Sequence, residues 1–470
     1  MMGAKATSQP EGRPRPERNR GGSARDRTQG RGSLPAKLAR VNEAARRSRQ
    51  TRFTALLHHV DDDEALLRAF RRQRRAASAG VDGVTVADYE RNLDANIRDL
   101  CDRVHTGRYR PQPVRRTTIP KADGGRRPLG IPTLEDKIVQ GAVAEMLSAI
   151  YEVDFLGFSY GFRPGRNPHQ ALDSLQTALM KERINWVLDA DIRSFFDSVD
   201  HEWMLRMLAH RVADPRVLRL VGQWLRAGVI DGGTWQAKDE GTPQGAGISP
   251  LLSNIFLHYV LDLWAQQWRR REARGRVIVV RYADDFVMDF EHENDARRMM
   301  AALKERLAGF GLALHEDKTR LLMFGRFAAE RRAERGLGRP ETFDFLGFTH
   351  HCDKTLNGRF IVRRKTQRTR MIRKLKEMRL EMRRRMHIPV TDQWRWLAAV
   401  LRGHYGYYGL SGNYRAMKHF LQEVEQIWQR TLARRSQKSR MFAPRFLKLL
   451  RRLPLPGPTI INPQRAAPGT

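Results

Sequence analysis

Residues 277–288 constrain the fold more tightly than any other stretch. Arg281-Tyr282-Ala283-Asp284-Asp285 lies between two short apolar runs, Val277-Ile278-Val279-Val280 and Phe286-Val287-Met288. β-Branched and aromatic residues on both sides make strands, so two carboxylates stand at the tip of a hairpin. Adjacent like charges on a tight turn repel each other. A divalent cation removes that repulsion, and Mg²⁺ takes oxygen ligands of this kind. A solvated turn is the competing account, because Asp is a common turn residue.

A second acidic segment lies about ninety residues upstream. Trp186-Val187-Leu188-Asp189-Ala190-Asp191-Ile192 has the pattern of a strand running into a turn at Arg193-Ser194-Phe195-Phe196-Asp197. By the period of two, Asp189 and Asp191 share one face, and Trp186, Leu188 and Ile192 share the other, buried one. A carboxylate at a strand end is costly if buried unpaired, and a metal would remove that cost. Between the two acidic segments lies Gly241-Thr242-Pro243-Gln244-Gly245-Ala246-Gly247-Ile248-Ser249-Pro250. Here Ser249 as N-cap and Pro250 at the first helical position start a helix carrying Leu251, Leu252, Ile255 and Phe256. Glycine also serves plain turns. The position of this loop between two carboxylate segments gives it weight.

Charge narrows the partners. The 470-residue chain carries a formal net charge of +34, and 41% of its residues are hydrophobic. It can fold, with about two to four domains. An excess of one sign this large destabilises a compact state unless a polyanion offsets it, which points to nucleic acid, with anionic membrane as the rival. No run of about eighteen apolar residues is present, so no transmembrane helix and no membrane partner are expected. The N-terminus lacks the apolar segment of a secretory signal. Two cysteines, Cys101 and Cys352, exclude a disulfide framework and a Cys-rich zinc site, and fit a reducing, cytoplasmic setting.

The remaining chain divides by composition. Residues 1–50, rich in Arg, Gly, Pro and Ser, are expected to form a disordered basic arm, either a set of phosphate contacts or a solvated tail. Residues 51–118 form a helical extension, with Asp61 and Glu64 at capping-box spacing and a helix over residues 86–105. Residues 119–132 form a hairpin around Asp123-Gly124-Gly125, with Lys121 and Arg127 on its flanks. A helical stripe of Val139, Val143, Met146, Leu147 and Ile150 is core. In Tyr160-Gly161-Phe162-Arg163-Pro164-Gly165-Arg166 the two arginines either grip phosphates or are solvated. Strand, hairpin, helix and strand around two acidic sites give an α+β layer. Phe343-Asp344-Phe345-Leu346-Gly347-Phe348 forms an aromatic strand, with His350 and His351 in a loop beyond it. From Thr366 the chain is helical and basic, with Arg373, Lys374, Lys376, Arg383 and Arg384 on a long helix suited to a polyphosphate groove. Phe420, Val424, Ile427 and Trp428 form a core stripe on a later helix, and residues 454–470 are a Pro-rich tail.

Taken together, seven blocks over about residues 50–455 resemble the reverse transcriptases and maturases encoded by bacterial group II introns. They are residues 119–132, 160–172, 189–197, 241–250, 282–285, 312–318 and 343–348, in the family's order. The resemblance implies a right-hand polymerase, with fingers and an antiparallel-sheeted palm over residues 119–350 and an all-α thumb or maturase domain over 360–453. It implies that Asp191, Asp284 and Asp285, with the backbone carbonyl of Ile192, hold two Mg²⁺ ions. Lys121 and Arg127 match triphosphate-binding positions, and Gln244 lies at a position beside the incoming nucleotide. Phe196 matches the aromatic that excludes a 2′-hydroxyl. Lys318 matches a position assisting pyrophosphate departure, and Phe345, Leu346 and Gly347 match the primer grip. The implied partners are intron RNA, an RNA template with a DNA primer, dNTPs and a DNA target. Arg193-Ser194 departs from the more usual Lys-Gly. The two cysteines do not supply the paired cysteines of the HNH endonuclease that many relatives carry, so that domain is not expected. The alternatives are a splicing factor with a decayed polymerase, against which all three carboxylates speak, and recruitment to a non-intron role.

Overall fold

The computed structural model describes residues 35–120, 125–231, 234–236, 241, 247–435 and 442–461. Its strands are β1 (Val114–Pro120), β2 (Arg126–Ile131), β3 (Trp186–Asp191), β4 (Val229–Asp231), β5 (Thr234–Gln236), β6 (Val277–Tyr282), β7 (Asp285–Phe290), β8 (Arg320–Met323), β9 (Phe343–Phe345), β10 (Phe348–Lys354) and β11 (Phe360–Thr366). The central sheet is antiparallel, in the order β6-β7-β3-β8. Both of its faces are covered. Trp186, Leu188, Met288 and Phe290 join a large core with the helices Leu134–Tyr151 and Ser249–Leu257. Val187, Val280, Val287 and Leu322 join a second core with the helix Pro168–Lys181 and the strands β9 and β10. Burial on two faces is why β6 and β7 are near-continuous apolar runs rather than alternating ones.

Two smaller sheets flank this one. β1 and β2 pair antiparallel, with Ile119 opposite Arg127, and β4 joins β1 in parallel. β9, β10 and β11 form a meander. The chain then becomes helical over Arg368–Arg384, Val390–Tyr408, Tyr414–Ala433 and Ala443–Arg452. Their shared core holds Leu375, Met378 and Met382 together with the stripe Phe420, Val424, Ile427 and Trp428. Residues 454–461 fold back on this unit: Trp394 Nε1 donates to Pro454 O at 3.0 Å, and Ile461 N to Gly409 O at 2.5 Å. Among the described residues no helix is long and apolar enough to cross a membrane.

Several local expectations are corrected. The expectation of a disordered arm to residue 50 fails over residues 36–47, because Ala36–Arg47 is a helix with Leu38, Val41 and Ala45 buried; residues 1–34 lie outside the described residues. Three small contacts at helical spacing were hidden by the basic average of the segment, and Asn42 Nδ2 reinforces them by donating to Ala149 O at 2.8 Å. Asp61 and Glu64 make no capping box. Asp61 accepts from His105 instead, and the helix begins at Asp63. The helix expected over 86–105 is two, Val86–Glu90 and Leu93–His105, the first opened by a Thr85–Asp88 capping box. Ser249 is the first helical residue, not its cap. Residues 343–348 are two strands joined by a tight turn at Leu346–Gly347, whose φ values of 48° and 81° suit a primed hairpin turn. His350 is on β10, fully buried and stacked on Phe343 at 4.7 Å between ring centres. The all-α segment starts at Arg368 rather than 360, since residues 360–366 complete the meander.

The packing of the first helix gives a direct check. Leu38→Ala should lower the unfolding free energy by about 2–4 kcal/mol, as for other buried leucines, measured by denaturant unfolding. A surface-like effect below about 0.5 kcal/mol would contradict a packed helix there.

Candidate active site

Asp191 is the last residue of β3 and Asp285 the first of β7, and the register sets them opposite each other. Tyr282 in turn pairs with Asp285. Directly opposed residues in an antiparallel ladder share a face, so Tyr282, Asp285 and Asp191 form a row. Asp284 stands between, in the two-residue turn Ala283–Asp284, and Ala283 takes a φ of 58°. The row opens onto a cleft of about 490 Å³ lined by Asp189, Asp191, Asp285, Lys318, Arg320, Asp344, Leu346, Gly347 and Arg370 among others.

The electrostatics of the row are adverse without a counter-charge. Asp285 presents an exposed edge to the cleft, while protein crowds the rest of its carboxyl. That burial, then the charges of Asp284 and Asp191, push it up to about 7 against the pull of Arg370. Burial likewise pushes Asp189 up to about 6 even though Arg320 Nη2 lies 3.3 Å away. Lys318 Nζ donates to Asp191 Oδ2 at 2.8 Å and so supplies one positive charge. Among the described residues no three His, Cys, Asp or Glu side chains converge closely enough to share one ion in this arrangement, where Lys318 holds one Asp191 oxygen. The donor set itself is all carboxylate, which suits a hard divalent cation.

The row is held from beneath. Arg281 alternates with Val277 and Val279 toward the large core, and its side chain is fully buried. Its Nε and Nη2 reach the two oxygens of Asp262 at 2.7 and 2.5 Å. Nη1 donates to Asn254 Oδ1 at 3.0 Å and to Ala283 O at 2.9 Å, and Nη2 to Ser159 Oγ at 2.8 Å. The tip of the hairpin is thereby tied to the helix that follows the Gly-rich loop. Gly161 lies against the tip so closely that a Cβ there would stand 2.3 Å from Ala283 N.

The other predicted residues fall as follows. Ile192 is buried and bridges to Leu314, while Asp191 O accepts from His315 N at 2.8 Å. Phe196 is half-buried, edge-on to Phe195. Gly241 packs on the Phe196–Asp197 backbone, where a Cβ would meet Phe196 O at 2.7 Å. Leu346 and Gly347 line the cleft; Leu346 O accepts from Tyr407 OH at 2.8 Å and Gly347 O from Gln367 N at 3.0 Å. Phe345 lines the cleft as well, with most of its side chain buried. Lys121 and Gln244 lie outside the described residues, and Arg127 is placed by its backbone on β2. Arg373, Lys376, Arg383 and Arg384 are exposed on the Arg368–Arg384 helix; Lys374 and Arg373 line a groove of about 380 Å³ with His404, Tyr407 and Tyr408.

Arg163 is explained by the loop itself, whereas Arg166 stays half-exposed. Arg163 is buried on Glu152 Oε2 at 3.0 Å and on the carbonyls of Leu156 and Ser159, and Arg166 lies over the Tyr160 ring. The roles of Arg281, Asp262, Asn254 and Arg370 at this site escaped the sequence reading. For Arg281 a signal existed: a charged residue in phase with Val277 and Val279 must point into the core and needs a buried acid.

A carboxyl raised above its unfolded value of about 4 subtracts stability as pH climbs past that value, until it ionises in the fold near 7. In chelator, Asp285→Asn should therefore raise the melting temperature, and more at pH 8 than at pH 5. Equal or negative shifts at both pH values would contradict this electrostatic picture.

Comparison with known proteins agrees with the geometry. Residues 119–350 match the family model for reverse transcriptase (RNA-dependent DNA polymerase). The chain is 35% identical over 308 residues to Protein YkfC of Escherichia coli K12, covering 57% of this chain and 80% of that one. It is 32% identical over 231 residues to the group II intron-encoded protein LtrA of Lactococcus lactis subsp. cremoris, covering 48% of this chain and 38% of that one. It is 26% identical over 366 residues to the putative COX1/OXI3 intron 1 protein of Saccharomyces cerevisiae, covering 67% of this chain and 42% of that one. With its acidic row on an antiparallel sheet and these relatives, the chain belongs to the reverse transcriptase and maturase family encoded by group II introns.

Proposed function

We propose that the chain extends a DNA primer on an RNA template, and that it binds its intron RNA and assists splicing. The observation that carries the polymerase reading is the pairing of Asp191 with Asp285 at the mouth of a cleft that also holds Lys318 and Arg370. Asp191, Asp284 and Asp285, with the Ile192 carbonyl, would hold two Mg²⁺ ions. The raised proton affinity of Asp285 supports this, because a site that attracts protons this strongly also attracts other cations. When bound, such ions supply the charge that acidifies a primer 3′-hydroxyl and stabilises phosphoryl transfer.

The chain's own residues do the rest. Lys318 lies on Asp191, within reach of the departing pyrophosphate once that carboxylate has another partner. Lys121 and Arg127 neutralise the triphosphate from the fingers hairpin, and Gln244 lies beside the nucleotide. Phe196 follows the turn after β3, where its ring leaves no room for a 2′-hydroxyl. The Leu346–Gly347 turn, fixed by Tyr407 and Gln367, grips the primer strand. The four C-terminal helices act as thumb and maturase domain. Arg373, Lys374, Lys376, Arg383 and Arg384 bind RNA phosphates there, and a DNA target is taken by the same path.

Purified protein with RNA template, DNA primer, dNTPs and Mg²⁺ should extend the primer, whereas Asp285→Ala should give essentially no product while still binding RNA. Equal extension by both sinks the assignment. Phe196→Ala should raise ribonucleotide incorporation; an unchanged dNTP preference removes the sugar-gate role.

A further inference from the structure

Phe162 is left unused by the reaction described so far. Its side chain is 58% exposed, and its φ is 55°. Bulky L-residues rarely take that backbone setting. An apolar ring held in water on a strained backbone costs stability twice over, so folding does not explain it. The segment is nonetheless rigid. Tyr160 N donates to Arg281 O at 2.8 Å, and Asn254 Nδ2 donates to Gly161 O at 2.7 Å. Gly161 has no room for a Cβ against Ala283. The chain is thus pressed onto the hairpin tip, and Phe162 is the next residue out.

Where the ring lies matters. Its centre is 6.1 Å from that of Tyr282. Tyr282 pairs with Asp285, and Asp285 with Asp191. Two aromatic rings are therefore followed by two carboxylates in one line, beside the cations Lys318 and Arg370 of the cleft. An apolar protein surface would have to cover those carboxylates to reach the rings, at a high desolvation cost. A polynucleotide end offers the matching pattern, with a flat base beside a charged, cation-binding sugar-phosphate terminus.

We propose that Phe162, with Tyr282, forms a stacking platform for the base at the 3′ end of the primer, and so seats the primer hydroxyl at the Asp191, Asp284 and Asp285 carboxylates. This rests on the polymerase reading above. In this role Phe162 is a primer-binding residue.

The test is steady-state extension by the full chain on a DNA-primed RNA template, with Phe162→Ala, Phe162→Gly and Phe162→Tyr beside Asp285→Ala. Loss of one stacked base weakens binding by about 5- to 100-fold. The Ala and Gly variants should raise the KM for primer–template by that factor and leave the KM for dNTP unchanged. The Tyr variant should restore the wild-type KM. Phe162→Gly should melt close to wild type, because glycine accepts the backbone and only the contact with the Tyr282 ring is lost. A primer ending in an abasic nucleotide should bind wild type and Phe162→Ala equally weakly. Unchanged primer KM in the Ala and Gly variants overturns the proposal, as does a clear fall in their melting temperature, which would mean that the ring packs on the protein. If wild type and Asp285→Ala extend alike, the polymerase reading itself has failed.

Discussion

The carboxylates on top of the central sheet depend on an ion pair beneath it. Arg281 and Asp262 are both fully buried. Removing two charges from water costs several kcal/mol per ion and is offset only when every donor finds a partner. Here all five guanidinium N–H groups are accepted, by Asp262, Asn254, Ser159 and the carbonyl of Ala283. Apolar residues of similar size would replace the ion pair alone at little cost, but would leave Asn254 Oδ1, Ser159 Oγ and the Ala283 carbonyl without their donor. What the pair supplies is position: one donor holds the hairpin tip, and the others tie it to the Ser249–Leu257 helix and the loop before Gly161. Asp262 sits on a π-helical turn, His258–Asp262. Such insertions recur at functional sites, where they re-aim a side chain that a regular helix would point elsewhere.

The clamp works against strain concentrated at the same place. Burial and mutual repulsion raise Asp285 and Asp189 to about 7 and 6. Among the described residues the non-glycine positions with positive φ are Phe162, Ser194, Ala283 and Leu346. Ala283 is the hairpin tip, Ser194 precedes Phe195 and Phe196, Leu346 turns at the cleft, and Phe162 adjoins the tip. Residues held in sparsely populated conformations cluster where the surrounding structure overrides them. Two covered sheet faces and a saturated buried network provide that override here.

Much of this was legible in the sequence because it rests on short periods. Alternation over residues 186–192 assigned Asp189 and Asp191 to one face, and the apolar runs around 284 and 285 gave the hairpin. The strand order was not legible, since register between β3 and β7 depends on partners far apart in the chain, so the opposition of Asp191 to Asp285 had to be supplied by resemblance. Composition misled at residues 36–47, where Leu38, Val41 and Ala45 are too few to shift an average yet enough to dock a helix. It misled again at Arg163, which is buried in its own loop; charge alone does not distinguish a phosphate contact from a buried pair.

The buried pair positions the acidic hairpin. The most direct test replaces both partners, Arg281→Met with Asp262→Leu, and measures melting temperature and primer extension on the same preparation. The double variant should still fold, with a lowered melting temperature because Asn254 Oδ1, Ser159 Oγ and Ala283 O lose their buried donor, and should extend primers about 100-fold more slowly, as for a catalytic group displaced by roughly 1 Å. A folded double variant that extends primers at the wild-type rate would contradict the positioning role.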